Sequence, residues 1–312
     1  MQRHTITANG LSHHVLDMGE GPAAIFCHGF PAIASSWRGQ MEAVAAAGWR
    51  ALAPDMRGYG GTDKPEAADA YMPFHTIADM VAILDHFGID QAVIVGHDFG
   101  STIAWNAAAF RPDRFRAVFG MSVAYRAHGG PLFLDRLREA GAHDFYMFHQ
   151  MAPGAEDRWA DAAVTFPGML YWSSGKAPEG EDWDPFRPAR SFLRPAPGPL
   201  DWVPEGYVEE AVAAFSAGGF RGPLNYYHAI ELFYAIANGA FAGVKVRQPS
   251  YFLIGARDGL NQLRRLNFEE LTESAPGLRG FSELEGVGHW PQFEAAGTVN
   301  RTLVDFLRGL EG

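Results

Sequence analysis

Short apolar runs alternate with helix-spaced segments through the first third of this chain, and that alternation constrains its fold more than any other feature. AAIFCHG (23–29), WRALAPDMRG (49–58), QAVIVGHDFG (91–100) and RFRAVFGMS (114–122) each have an apolar centre and end in a glycine or loop. A strand that is apolar on consecutive positions has no solvent face, so it belongs in a sheet covered on both sides. SWRGQMEAVAAAG (36–48), TIADMVAILDHFG (76–88) and STIAWNAAAFRP (101–112) read as the covering helices. The second places Ile77, Met80, Val81, Leu84 and Phe87 on one stripe. LSHHVLDMGEGP (11–22) adds a strand and a turn near the start. Repeated strand–helix units predict an α/β fold with a mostly parallel sheet.

The rhythm stops near residue 123 and resumes near 244. The intervening stretch is rich in Pro, Gly and aromatics, with helical pieces at 131–141, 204–219 and 224–239. Residues 176–200, KAPEGEDWDPFRPARSFLRPAPGPL, hold so many breakers that they read as irregular. Strand–helix order then returns in PSYFLIGARDG (249–259), QLRRLNFEELTESAP (262–276), FSELEGVGHW (281–290) and VNRTLVDFLRGL (299–310). We expect one core built from 1–123 and 244–312, with a mainly helical cap at 124–243 laid over it.

The 312 residues are 47% hydrophobic and 20% charged, which excludes wholesale disorder. Against 36 Asp and Glu stand 25 Lys and Arg, a net charge of −11 that disfavours nucleic acid and anionic membranes as partners. One cysteine, Cys27, rules out a disulfide framework within the chain and a multi-cysteine metal site. No stretch approaches the roughly 18 apolar residues of a membrane span. MQRHTITANG lacks the apolar run of a secretory signal, so the expectation is a soluble, cytoplasmic protein. Apolar lid surface would cover either a pocket or a second subunit, which leaves a homodimer open.

The strongest chemical signal is Gly96-His97-Asp98-Phe99-Gly100, between a buried strand and a helix. That is the setting of a nucleophile elbow, with aspartate where serine is usual. Two glycines permit a tight turn, and the turn lifts the side chain above the carboxyl ends of the strands. A helix-capping aspartate is the plain alternative. A carboxylate nucleophile suits displacement at saturated carbon and yields an alkyl ester on the enzyme. That ester then needs water activated by a base. His289, in GVGHW (286–290) after the last predicted strand, is the candidate base, and Asp258 in GARD (255–258) is its candidate orienting acid. The order nucleophile, acid, histidine is that of elbow hydrolases. A packing histidine and a loop-capping aspartate are the alternatives. The backbone N–H groups of Phe30 and Phe99 are placed to form an oxyanion hole for the ester's hydrolysis. His28 reads as a loop-bonding residue, and His97 as packing beneath the elbow.

HGFP (28–31), DMRGYGGTDKP (55–65), GHDFGS (96–101), GARD (255–258) and GHW (288–290) together resemble the epoxide hydrolases of the α/β-hydrolase superfamily, across about residues 10–305. The resemblance implies two lid tyrosines that hold the epoxide oxygen and assist ring opening. Tyr227 in LNYYH matches the family pattern L-N-[WY]-Y-R, with His228 where arginine is common. Tyr146 lies seven residues before Pro153-Gly154, the family spacing, although Met151-Ala152 replaces the usual Gln-Glu. Tyr125 and Tyr226 are the fallbacks. The implied reaction converts a small apolar epoxide to a vicinal diol and uses neither cofactor nor metal.

Haloalkane and haloacetate dehalogenases share an aspartate elbow and form the enzymatic alternative. Their halide needs N–H donors, and Trp37, Trp105 and Trp172 are candidates, but Phe99 stands where Trp or Arg is frequent. A serine hydrolase lacks its GxSxG here, and nucleotide loops and HExxH are also missing from the sequence. A catalytically silent binding protein of the same fold is the non-enzyme alternative.

Overall fold

The structure, a computed structural model, describes residues 1–263 and 267–311. Among these, eight strands form one sheet: β1 (Gln2–Ala8), β2 (Leu11–Met18), β3 (Ala23–Cys27), β4 (Arg50–Pro54), β5 (Ala92–His97), β6 (Phe115–Met121), β7 (Ser250–Gly255) and β8 (Leu278–Leu284). Their order is β1-β2-β4-β3-β5-β6-β7-β8. β2 runs antiparallel to both β1 and β4, and every other pairing is parallel. From β3 the chain goes to β4 on one side and then crosses to β5 on the other. The carboxyl ends of β3 and β5 therefore flank the point where the winding reverses, the crevice in which open α/β sheets hold ligands.

Side chains alternate across the sheet as the pleat requires. Ala24, Phe26, Val93, Val95, Phe119 and Leu253 face one way and bury against helices α1 (Arg38–Ala46) and, at the C-terminus, Ala296–Arg308. Ile25, Cys27, Leu52 and Ile94 face the other way, onto α2 (Pro73–His86) and α3 (Phe99–Phe110). On α2 the buried stripe is Ile77, Met80, Ile83 and Leu84, and Val81 and Phe87 lie at its edge.

The insertion holds α4 (Phe133–Glu139), α5 (Tyr146–Gln150), α6 (Ala162–Trp172), α7 (Tyr207–Gly218), α8 (Arg221–His228) and α9 (Ile230–Ala240). The helical piece expected over 224–239 is two helices that break at Ala229. Neither α5 nor α6 shows in the periodicity of the sequence. The second was hidden by Pro167, which sits inside the helix, where Phe166 and Leu170 are buried on either side of it. After β7 come α10 (Gly259–Leu263), α11 (Phe268–Ser274), α12 (Pro291–Glu294) and α13 (Ala296–Arg308). Of the helical region expected at 262–276, residues 264–266 lie outside the described residues. β1 was also unforeseen. It pairs with β2 through Asn9-Gly10, both at positive φ (48° and 75°), as a two-residue hairpin turn of type I′ requires. Among the described residues no helix is long and apolar enough to cross a membrane.

Candidate active site

Asp98 stands between β5 and α3 at φ 55° and ψ −122°. For a non-glycine residue such a backbone costs on the order of 1–3 kcal/mol and persists only where the surroundings enforce it. Here two glycines do so. A Cβ on Gly96 would lie 2.1 Å from the Gly100 carbonyl oxygen, and one on Gly100 would lie 1.9 Å from that of Cys27. The elbow is tight because backbone meets backbone. Asp98 is the N-cap residue of α3, yet its carboxylate makes no capping bond. Instead Phe30 N–H donates to its Oδ1 at 2.8 Å, and Phe99 N–H bonds the same carboxylate. Burial raises the Asp98 carboxyl above the ordinary range, and the facing His289 and the two N–H groups offset only part of that.

His289 follows β8, and Asp258 follows β7, so all three groups project from the same edge of the sheet. The His289 Nδ1 lies 3.0 and 3.2 Å from the two Asp258 oxygens, and its Nε2 faces Asp98 Oδ2 at 3.7 Å. Asp258 is fully buried, and its Oδ1 also accepts the Leu260 N–H at 2.9 Å, so it caps its loop and orients the imidazole at once. Burial is the largest influence on His289 and pulls its pKa down. The charge and hydrogen bond of Asp258, with the charge of Asp98, outweigh it, and the net shift is upward.

The loop that carries His289 is anchored by Glu294 and Gln292, which lie outside the motifs, and by His97 beneath the elbow. The Glu294 carboxylate accepts Gly288 N–H at 3.0 Å and Trp290 N–H at 3.0 Å, one on each side of the histidine, and Gly175 N–H of the insertion at 2.7 Å. The His289 carbonyl accepts His97 Nε2–H at 2.7 Å, while His97 Nδ1 takes an amide N–H of Gln292 at 3.2 Å. A carboxylate five residues after the histidine, on a one-turn helix that a proline opens, was the available signal. His28 is committed to structure: its Nε2 accepts the Met56 N–H at 3.0 Å, which leaves Nδ1–H for the Gly29 carbonyl at 3.0 Å.

Tyr227 comes from α8 and Tyr146 from α5. Their rings stand 6.2 Å apart at 89°, and Tyr227 packs edge-on against Phe30 and Phe99, directly over the elbow. Among the described residues neither hydroxyl has a hydrogen-bond partner, and both phenols are raised by burial, with the Asp98 charge adding to it. Tyr125 and Tyr226 differ. Their hydroxyls donate to the carbonyls of Val244 (2.8 Å) and Arg57 (3.0 Å). Trp183, from the breaker-rich stretch, packs between Tyr146 (5.0 Å) and His289 (6.1 Å) and was not foreseen. The three tryptophans named as halide donors do not serve the site. Trp105 and Trp172 donate to the carbonyls of Val123 and Pro195, and Trp37 lies in the core on the opposite sheet face.

A doubly wound sheet with an acidic elbow, a histidine after its last strand and an acid after the one before defines the α/β-hydrolase class, and a family profile for the alpha/beta hydrolase fold matches residues 22–296. An "Epoxide hydrolase" of Caballeronia sordidicola is 49% identical over 100% of this chain and 95% of its own. "Epoxide hydrolase A" of Mycobacterium tuberculosis is 35% identical over 98% of this chain and 97% of its own. The solved structure of an epoxide hydrolase from an endophytic Streptomyces superposes with a TM-score of 0.91 at 33% identity, covering 99% of this chain and 96% of that one. The chain belongs to the epoxide hydrolases of the α/β-hydrolase fold.

Proposed function

We propose that this chain hydrolyses epoxides to vicinal diols through an ester on Asp98. Asp98 Oδ2 attacks one ring carbon from the face opposite the ring oxygen, and the C–O bond breaks with inversion at that carbon. Tyr146 and Tyr227 hold the oxygen, and one of them gives it a proton. His289 then takes a proton from water, and the hydroxide attacks the Asp98 ester carbon. Oδ1 becomes the oxyanion between the N–H groups of Phe30 and Phe99. Asp258 holds the imidazole and stabilises its charged form. Collapse expels the diol oxygen, which takes the proton from His289, and the proton left on the new Asp98 carboxyl replaces the one lost by the phenol.

One observation carries this reading: the two oxygens of Asp98 are in different hands. Oδ1 already accepts the Phe30 N–H at 2.8 Å, while Oδ2 faces the His289 Nε2 at 3.7 Å. Residues 1–123 and 244–312 act as the core and 124–243 as the cap, since the carboxylate and imidazole come from the first and both phenols from the second. The cavity that Asp98 and Tyr146 line, about 400 Å3, suits a small, largely apolar epoxide.

A single turnover in oxygen-18 water tests this two-step route. The diol of the first turnover carries no label, because both of its oxygens come from the epoxide and Asp98, and the label enters the Asp98 carboxylate. A labelled diol from the first turnover contradicts the ester. A panel of epoxides and alkyl halides separates the enzymatic alternatives, and a binding protein releases neither diol nor halide.

A further inference from the structure

The Asp258–His289 pair is braced from the insertion by a segment to which the reaction gives no other task. Residues 173–177 follow α6 and lie across the loops that leave β7 and β8. The Ser173 carbonyl accepts the backbone N–H of His289 itself at 2.8 Å, and Ser173 Oγ accepts the Trp290 indole N–H at 2.8 Å. The contact is backbone against backbone. A Cβ on Gly288 would lie 2.4 Å from the Gly175 nitrogen, and one on Gly175 would lie 2.0 Å from the Gly286 carbonyl oxygen. Arg257 holds the segment from the other loop. Its Nη1–H donates to the Gly175 carbonyl at 2.7 Å, and its Nη2–H donates to the Ala177 carbonyl at 2.8 Å. Its backbone N–H donates to the Val287 carbonyl at 2.9 Å. Arg257 immediately precedes Asp258, and Val287 lies two residues before His289. The bonds therefore close a ring that runs from Arg257 through Val287, His289, Ser173 and Gly175 back to Arg257.

We propose that Arg257 is a positioning residue for the hydrolytic half of the reaction, clamping residues 173–177 onto the histidine loop so that His289 stays aimed at the Asp98 ester. This rests on the ester route above and deepens it, by assigning the two steps different supports. Ester formation does not draw on the ring, because Asp98 hangs from the elbow and the two phenols from α5 and α8. Trp183, which packs on Tyr146, has its own holds: its N–H donates to the Trp172 carbonyl at 2.7 Å, and the neighbouring Asp182 pairs with Arg190. Hydrolysis does draw on it, because imidazole, water and ester carbon must line up, and a misplacement of about 1 Å can cost about a hundredfold. The clamp works through shape. A planar guanidinium spans two carbonyls at once, whereas an ammonium is a point charge that cannot fix both.

Single turnovers of styrene oxide, quenched rapidly and read by weighing the Asp98 peptide at each time, separate the two steps. In Arg257→Gln, ester formation is expected to stay within about twofold of wild type while hydrolysis slows by about tenfold, so the ester accumulates. Arg257→Lys keeps the charge without the fork and is expected to show the same split. Ser173→Ala removes the hydroxyl that accepts the Trp290 indole and is expected to slow hydrolysis severalfold with ester formation unchanged. This milder variant carries the test where the arginine variants fold poorly. Three results overturn the proposal and leave the hydrolase reading intact: formation and hydrolysis that fall together, hydrolysis at the wild-type rate in Arg257→Gln, or full recovery in Arg257→Lys. No ester on Asp98 in any variant, His289→Gln included, overturns both.

Discussion

The proposed chemistry depends on how neighbours set the protonation of single residues. The imidazole of His289 must be neutral to accept a proton from water, and Asp258 and Asp98 hold its pKa above the ordinary 6.5. In the ester Asp98 carries no charge, so Asp258 chiefly opposes the effect of burial there, and hydrolysis slows as pH falls through the histidine pKa that Asp258 sustains. Asp258→Asn removes the charge, so the acid limb moves to lower pH, while the hydrolysis rate drops by about a hundredfold or more. Single-turnover rates against pH check both parts. Asp98 carries a stability signature of opposite benefit. Its folded carboxyl is raised above the ordinary 3.8, so the folded chain holds this proton more tightly than the unfolded chain. That contribution is complete below the ordinary value and is lost as pH rises through the raised one. Asp98→Asn escapes the loss. Denaturation midpoints should show the variant gaining on wild type between acid and neutral pH, and a gap that is flat or closes with rising pH would contradict the burial argument. The tyrosines divide in the same way. Tyr146→Phe and Tyr227→Phe should each slow ester formation by about a hundredfold, the scale of a lost proton donor. Tyr125→Phe and Tyr226→Phe should instead cost about 1 kcal/mol of stability, because their hydroxyls are bonded to backbone. Rapid-quench kinetics and urea melts separate the two pairs.

Between residues and fold lie the turns that aim them. The elbow exists because Gly96 and Gly100 leave no room for a methyl group. Gly100→Ala should destabilise the chain by about 3 kcal/mol or more, at the upper end of overpacking costs, since backbone oxygen cannot yield as a side chain can. Glu294 has the corresponding duty on the histidine loop. Removing its carboxylate leaves three part-buried N–H groups without this partner, at about 1 kcal/mol each, on both sides of His289 and across to Gly175. Elements that turn on local chemistry were legible in the sequence to the degree that their signal was local. The buried strands, the elbow and the loops after β7 and β8 declared themselves through apolar runs and glycines. β1 was announced only by Asn9-Gly10, a turn signal with a half-exposed strand before it. α6 was masked because Pro167 reads as a breaker until burial on both sides of it is known.

At the scale of the whole molecule, the insertion and the sheet are joined at the site itself. Ser173 O accepts the His289 N–H at 2.8 Å, the Trp290 indole donates to Ser173 Oγ at 2.8 Å, and Arg257 donates to the Gly175 and Ala177 carbonyls at 2.7 and 2.8 Å. One hydrophobic cluster runs without a break from Ile25 and Ile94 in the sheet to Trp159, Phe192 and Tyr227 in the insertion. The two parts should therefore unfold together, with coincident urea transitions by tryptophan fluorescence and far-ultraviolet circular dichroism, and two separated transitions would count against it. These contacts are why site assembly was only partly readable from sequence. Spacing brought Asp98, Asp258 and His289 to one sheet edge, but Trp183, Gln292 and Glu294 reach the site through packing between distant segments, which no local pattern records. The central claim, that Asp98 forms and His289 breaks an ester, meets its most direct test in His289→Gln incubated with styrene oxide, digested and weighed. The account predicts that the peptide containing Asp98 gains the mass of one epoxide, and that the adduct persists because no base activates the water. An unmodified Asp98 peptide together with wild-type turnover would contradict it.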